Sequence, residues 1–190
     1  MKGHVIINNG ELLELLKKLG IFYKRYKHQP IYNVADAEKY AKNIDGAHCK
    51  NLFLKDAEGK LYLAVTLEKK RIDLKGVSKQ IGAKRLSFAS DDMLENILNI
   101  KPGGVTPFAL INDINKHTVV LFDQDILKER KLSFHPLVNT ETITISTEDI
   151  LKFINYCGHK LISIENPFKE LMTPPEKQVR KIGFKIEKGK

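Results

Sequence analysis

Three short segments of this chain carry side chains that could do chemistry. The first, residues 48–55, is an apolar strand that also contains Lys50 and Asn51. Successive side chains on a strand point to opposite faces, so Lys50 shares a face with Leu52 and Leu54, and its ammonium group is aimed at an apolar layer. A half-desolvated lysine is suited to binding an anionic or carbonyl-bearing ligand. The alternative is a lysine at the strand entrance whose charge reaches solvent.

The second segment, residues 101–107, places Gly103 and Gly104 between two prolines. Without side chains, their backbone amides could point at a carbonyl oxygen or a phosphate. No Gly-Lys-Ser/Thr follows, so the segment is not a P-loop, and it does not match a dinucleotide fingerprint. A plain turn remains the alternative.

The third segment, residues 134–140, contains His135 beside a proline, followed by Asn139. An imidazole and an amide on a stiff segment could orient water or a hydroxyl group, although a hydrogen-bonded structural histidine is the alternative. The other five histidines show no metal-ligand spacing, and no His-Glu-x-x-His occurs. We therefore predict neither a catalytic metal nor a cofactor. Cys49 and Cys157 lack the signature of a thiol nucleophile and are predicted to be small buried hydrophobes.

Composition narrows the class of protein. The chain has 190 residues, enough for one domain with a real core, and two cysteines, which exclude a disulfide framework. No apolar run approaches the roughly 20 residues that span a bilayer, and the amino terminus lacks the features of a signal peptide. We expect a cytoplasmic protein with no membrane contact. The balance of 32 Lys+Arg against 23 Asp+Glu, a formal charge of +9, favours a polyanionic partner such as nucleic acid.

Helix and strand signals alternate along the chain without repeats. Caps and apolar periodicity predict helices that begin near Asn8, Asn33, Asp73, Ser90 and Thr147. Alternation and turn signals predict a hairpin over residues 49–55 and 61–68 and further strands at 22–27, 86–88, 108–112, 118–122, near 132 and at 142–146. Such mixing predicts an α/β fold with a mixed, largely antiparallel central sheet surrounded by helices.

Several linked motifs, in order, resemble the YbaK/ProX superfamily of free-standing prolyl-tRNA editing proteins. They are residues 47–54, 85–90, 103–110 and 134–140. The similarity runs from about residue 8 to 164, and the closest subgroup hydrolyses alanine mischarged on proline tRNA. Two positions depart from the family pattern. Cys49 stands where threonine is expected, and Asn33 stands where threonine or serine is expected.

The resemblance implies an editing domain over residues 1–165 and leaves a basic tail, 166–190, uncovered. It makes Lys50 the signature active-site residue and makes the loop from Gly103 to Pro107 a border of the aminoacyl pocket. The predicted catalytic residues are Lys50, Gly103, Gly104 and His135. The predicted substrate-binding residues are Asn51, Val105, Thr106, Pro107 and Asn139.

The implied activity is hydrolysis of alanyl-tRNA(Pro) released from the synthetase, with prolyl-tRNA synthetase as a possible further partner. An aminoacyl ester is already activated, so a positioned water, a polarised carbonyl and a size filter suffice, and no catalytic triad is needed. Two alternatives remain open from the sequence. One is a deacylase for cysteinyl-tRNA(Pro), and the other is a non-catalytic module that binds tRNA or a synthetase.

Overall fold

The computed structural model describes residues 6–30, 40 and 42–165. Its α-helices are α1 (Asn9–Lys18), α2 (Leu74–Gln80), α3 (Asp91–Leu98) and α4 (Thr147–Cys157). Its strands are β1 (Tyr23–Lys27), β2 (Ala47–Lys55), β3 (Leu61–Leu67), β4 (Ser87–Phe88), β5 (Thr118–Asp123), β6 (Lys131–Phe134), β7 (Glu141–Ser146) and β8 (Leu161–Ile164). Short 3-10 helices cover Pro107–Asn112 and Ile126–Lys128.

The described strands form one mixed sheet in the order β1-β7-β6-β2-β3-β5-β8, and β4 also pairs with β2. The β1–β7, β6–β7, β2–β3 and β2–β4 pairs are antiparallel, while β2–β6, β3–β5 and β5–β8 are parallel. The predicted fold class, a mixed and largely antiparallel sheet with surrounding helices, is confirmed.

Apolar side chains cover both faces of this sheet. The main core packs α1, α3, α4 and the 3-10 helix at 107–112 against one face. A smaller core packs α2 against the other face, around Leu54, Tyr62 and Val77. Alternation along β2 therefore sends odd-numbered side chains such as Phe53 into the main core and even-numbered ones such as Leu54 into the smaller core.

Local signals account for the helix ends. The Ser90 side chain accepts a hydrogen bond from the Met93 amide, and the Ser146 side chain accepts one from the Asp149 amide, which caps α3 and α4. Gly158 ends α4 with φ +74°, a left-handed conformation that glycine adopts without strain. The predicted hairpin is also confirmed, since β2 and β3 pair from Cys49–Leu67 to Lys55–Leu61.

Three expectations differ from the structure. Residues 108–112 are not a strand but part of the 3-10 helix Pro107–Asn112, which Thr106 caps and a proline begins. This segment is packed between α3 and α4, so apolar residues occur on all its sides and hide the helical period. Helix α3 ends at Leu98 rather than at Pro102, because Asn99 turns left-handed. Strand β8 was not predicted.

The helix predicted from Asn33 to about Lys42 lies mostly outside the described residues; of the two described positions in it, Tyr40 is helical and Lys42 is in a turn. Within the described part of the chain, no helix is long and apolar enough to cross a membrane.

Candidate active site

The site lies at an open edge of β2. Strand β6 pairs with this edge at Ala47–His48, and β4 pairs with it at Leu54–Lys55. Among the described strands, none pairs with the stretch between these two bridges. A cleft of about 680 Å³ opens there, lined by residues 49–53 together with Glu68, Phe88, Ala89, Asp91, Leu94, Pro102, Gly103, Val105 and His135.

The hydrogen bonds of β2 show which backbone groups face this cleft. The His48 carbonyl accepts from the Glu68 amide on the β3 side (2.9 Å), whereas the Phe53 carbonyl accepts from the Ala89 amide on the outer side (3.0 Å). Backbone groups of alternate residues point to alternate sides of a strand. The N–H and C=O of Asn51 therefore point outward, into the cleft.

Lys50 leaves the strand on the face of Leu52 and Leu54, as predicted, and is half-buried. Its Nζ donates to the Glu68 carbonyl at 3.2 Å and to the Lys70 carbonyl. Burial is the main cause that lowers the pKa of Lys50, the charge of Arg71 lowers it further, and Glu68 opposes both. An ammonium group has three N–H donors, and these two carbonyls are its acceptors among the residues that the structure describes, so one N–H is left for a ligand there.

The carbonyls that hold Lys50 belong to a turn fixed by a buried ion pair. Lys70 Nζ lies 3.0 Å from Asp123 Oδ2 and also binds Asp125, and Thr66 Oγ1 donates to Asp123 at 2.7 Å. Burial alone would lower the pKa of Lys70, but the two carboxylates outweigh it and raise that pKa. Lys70 is therefore a buried structural cation, since its side chain is only 5% exposed.

Asn51 points from the opposite face of β2 toward the glycine loop. Its Nδ2 donates to the Val105 carbonyl at 3.0 Å, which ties the loop to the strand. Its Oδ1 is buried and has no hydrogen-bond partner in the described residues. Lys50 and the glycine loop therefore lie on opposite faces of the sheet, yet both border the cleft that opens around its edge.

The glycine loop is a tight turn. Gly103 has φ +84°, and the Gly104 amide donates to the Lys101 carbonyl at 3.0 Å. That bond engages the Gly104 amide, which we had expected to face a substrate oxygen. Gly103 and Val105 line the cleft, whereas Gly104 does not.

Two further loop positions serve the fold rather than the cleft wall. Thr106 is fully buried, and its hydroxyl accepts from the Phe108 amide (3.4 Å) to cap the 3-10 helix that begins at Pro107. Pro107 is buried as well, and neither residue lines the cleft.

His135 reaches the cleft from the end of β6. Its Nδ1 lies 2.9 Å from the Glu141 carbonyl, which accepts, so Nδ1 carries the proton and Nε2 presents a lone pair. Burial is the main cause that lowers the pKa of His135 from its ordinary value of 6.5, against the effect of that carbonyl, and this shift favours the neutral ring. Asn139, the other polar residue predicted in this segment, is half-buried and lies away from the cleft.

A smaller cavity of about 70 Å³ adjoins the cleft. The cavity and the cleft share four wall residues: Cys49, Asn51, Glu68 and His135. Ser133 also lines the cavity. Burial raises the pKa of the Cys49 thiol well above its usual range, so this cysteine is an inert wall as predicted. The cavity has room for a few water molecules or one small side chain.

Comparisons with known proteins agree with this geometry. The model of the aminoacyl-tRNA editing domain matches residues 28–153. The chain belongs to the aminoacyl-tRNA editing domain family. The predicted family and its enzyme class, aminoacyl-tRNA deacylase, are thereby confirmed.

Similar proteins extend over most of the chain. The prolyl-tRNA editing protein ProX of Acetoanaerobium sticklandii is 37% identical over 152 residues, which cover 79% of this chain and 92% of the relative. The human "Putative prolyl-tRNA synthetase associated domain-containing protein 1" is 35% identical, covering 78% and 90%. The solved structure of "a putative trans-editing enzyme for prolyl tRNA synthetase" has the same fold, with a TM-score of 0.62 at 18% identity, covering 84% and 98%.

Other features of the site were not found from the sequence. Glu68 and Phe88 line the cleft, and the unpaired edge of β2 shapes it. Phe88 lies in one of the motifs used for the resemblance, but its exposure depends on how β4 pairs. In the described residues, no three His, Cys, Asp or Glu side chains lie together as a metal site would require.

Proposed function

We propose that this protein hydrolyses the ester of alanine mischarged on proline tRNA, acting on tRNA released from the synthetase. The observation that carries the proposal is the cleft at the open edge of β2, where Lys50, His135 and an outward-facing backbone amide line a space that adjoins a small inner cavity. The similarity to a prolyl-tRNA editing protein and to a putative prolyl-tRNA synthetase associated domain-containing protein supports the choice of tRNA.

The main-chain edge is proposed to hold the reacting carbonyl. The outward N–H of Asn51 and the amide of Gly103, which lines the cleft, are proposed to donate to the ester carbonyl and to the oxyanion that forms when water attacks. Lys50 keeps one N–H for the terminal phosphate of the tRNA or for the same carbonyl. These donors are fixed before the substrate arrives, so little reorganisation is needed during the reaction.

His135 is proposed to position the attacking water. Its Nε2 lone pair, held in place by the Nδ1–H bond to the Glu141 carbonyl, can accept a proton from water. The water oxygen attacks the carbonyl carbon, and the bond to the ribose oxygen breaks. The proton removed from water then goes to that ribose oxygen, and the neighbouring ribose hydroxyl is proposed to assist in activating the water. Asn139 would act at a distance, by shaping the His135 segment.

The small inner cavity is proposed to select alanine. In this proposal the cavity of about 70 Å³ receives the methyl group of alanine, and the shape of its walls, rather than its volume alone, excludes the ring of correctly attached proline. Exclusion of the larger residue discriminates strongly, whereas rejecting a smaller one through lost contact yields only about 10- to 200-fold. Val105 lines the adjoining cleft, and its carbonyl is held by Asn51, which lines both spaces; a Val105→Ala change should therefore widen the cleft beside the inner cavity and relax the preference. An unaltered preference in that variant would count against this role of the loop.

One assay separates the proposal from its rivals. Initial rates are measured on alanyl-, cysteinyl- and prolyl-tRNA(Pro) with the same enzyme preparation. The proposal expects fast loss of alanine and spared proline. Faster loss of cysteine would assign the protein to the sister activity. Tight tRNA binding without turnover of any of the three would make it a non-catalytic module.

The remaining partners are proposed from charge. We propose a cytoplasmic location, with tRNA(Pro) and prolyl-tRNA synthetase as partners. The editing domain is proposed to end near residue 165, followed by the tail 166–190 with seven Lys/Arg and three Glu. If the tail lies along phosphate backbone, its removal should flatten the salt dependence of tRNA binding. An unchanged slope would leave the tail without this role.

A further inference from the structure

Phe88 stands out among the side chains at the cleft. It lines the cleft, yet it is 60% exposed and packs in neither apolar core, although its neighbours Leu86 and Ala89 do. Two residues of β4 pin its backbone, since Phe88 pairs with Leu54 and Ser87 pairs with Lys55. A large aromatic ring is thus held open to solvent on a fixed backbone at the mouth of the site.

Register places Phe88 on the same face of the sheet as Lys50. Directly paired residues of antiparallel strands share a face, so Phe88 lies beside Leu54, four residues along β2 from Lys50. That offset corresponds to about 13 Å along the strand and about 5 Å across it, or roughly 14 Å between the two α-carbons. A lysine side chain, one nucleotide and a stacked ring together can span this distance. Leu52, half-buried, lies between them.

A second cation lies near Lys50. The exposed Arg71 directly follows Lys70, whose carbonyl accepts a hydrogen bond from Lys50 Nζ. The charge of Arg71 also depresses the pKa of Lys50, and a bound anion would relieve this repulsion. The Lys50 end of this region therefore offers two positive charges, and the other end offers an exposed aromatic ring. Phosphate prefers the first, and the face of a nucleobase prefers the second.

We propose that Phe88 is the stacking surface for the base of the terminal nucleotide of the tRNA, whose phosphate binds at Lys50 and Arg71. This inference rests on the proposed function and deepens it, because it assigns separate positions to the base and the phosphate. Stacking is tolerant of base identity, so Phe88 contributes affinity and placement rather than recognition of adenine by hydrogen bonds.

A double-mutant cycle tests this contact. The ligand is a fluorescently labelled acceptor-stem RNA hairpin that ends in CCA and carries no amino acid. It is compared with the same hairpin whose terminal residue lacks a base. Anisotropy titrations give the affinity of the wild type and of Phe88→Ala for both. Removing the base should raise the Kd of the wild type roughly 5- to 150-fold. In Phe88→Ala the ratio of the two Kd values should be about one.

Three variants complete the design. Phe88→Tyr should keep the base dependence because it keeps the ring, and Phe88→Leu should lose it although it remains apolar. Phe22→Ala is the matched control, because Phe22 is 85% exposed and does not line the cleft. It should retain the base dependence of the wild type.

Two outcomes would overturn the inference. One is a wild type that binds both hairpins equally, and the other is the same base dependence in Phe88→Ala as in the wild type. Neither outcome concerns hydrolysis. A wild type with the expected base dependence but no deacylation would instead refute the proposed function and leave the stacking contact standing.

Discussion

Replacing Asp123 by Asn is expected to lower the free energy of unfolding by about 3 kcal/mol. Asp123 is fully buried and accepts from Lys70 and Thr66 on one oxygen, while its other oxygen accepts from the Asp125 amide at 3.0 Å. Breaking a buried ion pair costs about 3–5 kcal/mol, because the remaining charge is stranded. Lys70 still keeps Asp125, so the loss should be at the low end, equivalent to roughly 6–12 °C in Tm.

Urea unfolding of wild type and Asp123→Asn measures this loss. Lys84→Ala is the matched control, because it breaks the Lys84–Glu58 pair, whose side chains are 68% and 63% exposed. Exposed pairs contribute about 0–1 kcal/mol, so this variant should unfold almost as the wild type does. Equal losses in the two variants, or no loss in Asp123→Asn, would refute the assignment of a stabilising buried pair.

Asp123→Asn should also lower the rate of deacylation. The turn anchored by Lys70 supplies both carbonyls that hold the Lys50 ammonium group. Asp123→Asn, assayed well below its Tm, should therefore deacylate alanyl-tRNA(Pro) more slowly, while Lys84→Ala keeps the wild-type rate. A folded Asp123→Asn protein with full activity would show that Lys50 needs no such anchor.

Further expectations concern the loop, the thiols and one carboxylate. Gly103→Ala and Gly59→Ala each place a side chain on a backbone with φ near +85°, with no neighbouring atom in the way, so each should lower the free energy of unfolding in urea by about 1 kcal/mol. The rate of deacylation should fall only in Gly103→Ala. Equal rates in the two variants would contradict the role of the glycine loop. Burial raises the pKa of Cys157 to about 12 and that of Cys49 further, so Ellman's reagent at pH 8 should react at least about tenfold faster after unfolding. The hydrogen bond from Arg25 is the main cause that lowers the pKa of Glu141 from 4.5, so its stabilisation is present above that pH and lost as pH falls through the depressed value. The free energy of unfolding, measured with urea between pH 7 and pH 3, should therefore fall less steeply with pH in Glu141→Gln than in the wild type. The same pH dependence in both proteins would exclude the contribution of Glu141.

The sequence predicted those features of the fold that depend only on residues close together along the chain. The period of β2 correctly placed Lys50 with Leu52 and Leu54, because strand alternation requires no knowledge of partners. The caps at Ser90 and Ser146 act within one turn of their helices, although the second helix was expected to open at Thr147. Such features follow from spacing alone.

The remaining features depend on contacts that spacing does not reveal. Lys70 is buried because Asp123, 53 positions away in sequence, meets it in the fold. The cleft exists because β6 and β4 leave part of the same edge of β2 unpaired, which depends on strand order. The Gly104 amide is engaged by the turn itself, so its sequence motif predicted an available donor that the backbone geometry removes.

Single-turnover hydrolysis of alanyl-tRNA(Pro) by Lys50→Ala, beside Lys55→Ala, tests the central role of the cleft most directly. Lys55 lies on the same strand, has the opposite side-chain direction and does not line the cleft. Loss of one preorganised donor costs about 100-fold or more, so Lys50→Ala should be slowed by that factor and Lys55→Ala should match the wild type. Equal rates for the two variants would contradict the assignment of this cleft as the editing site.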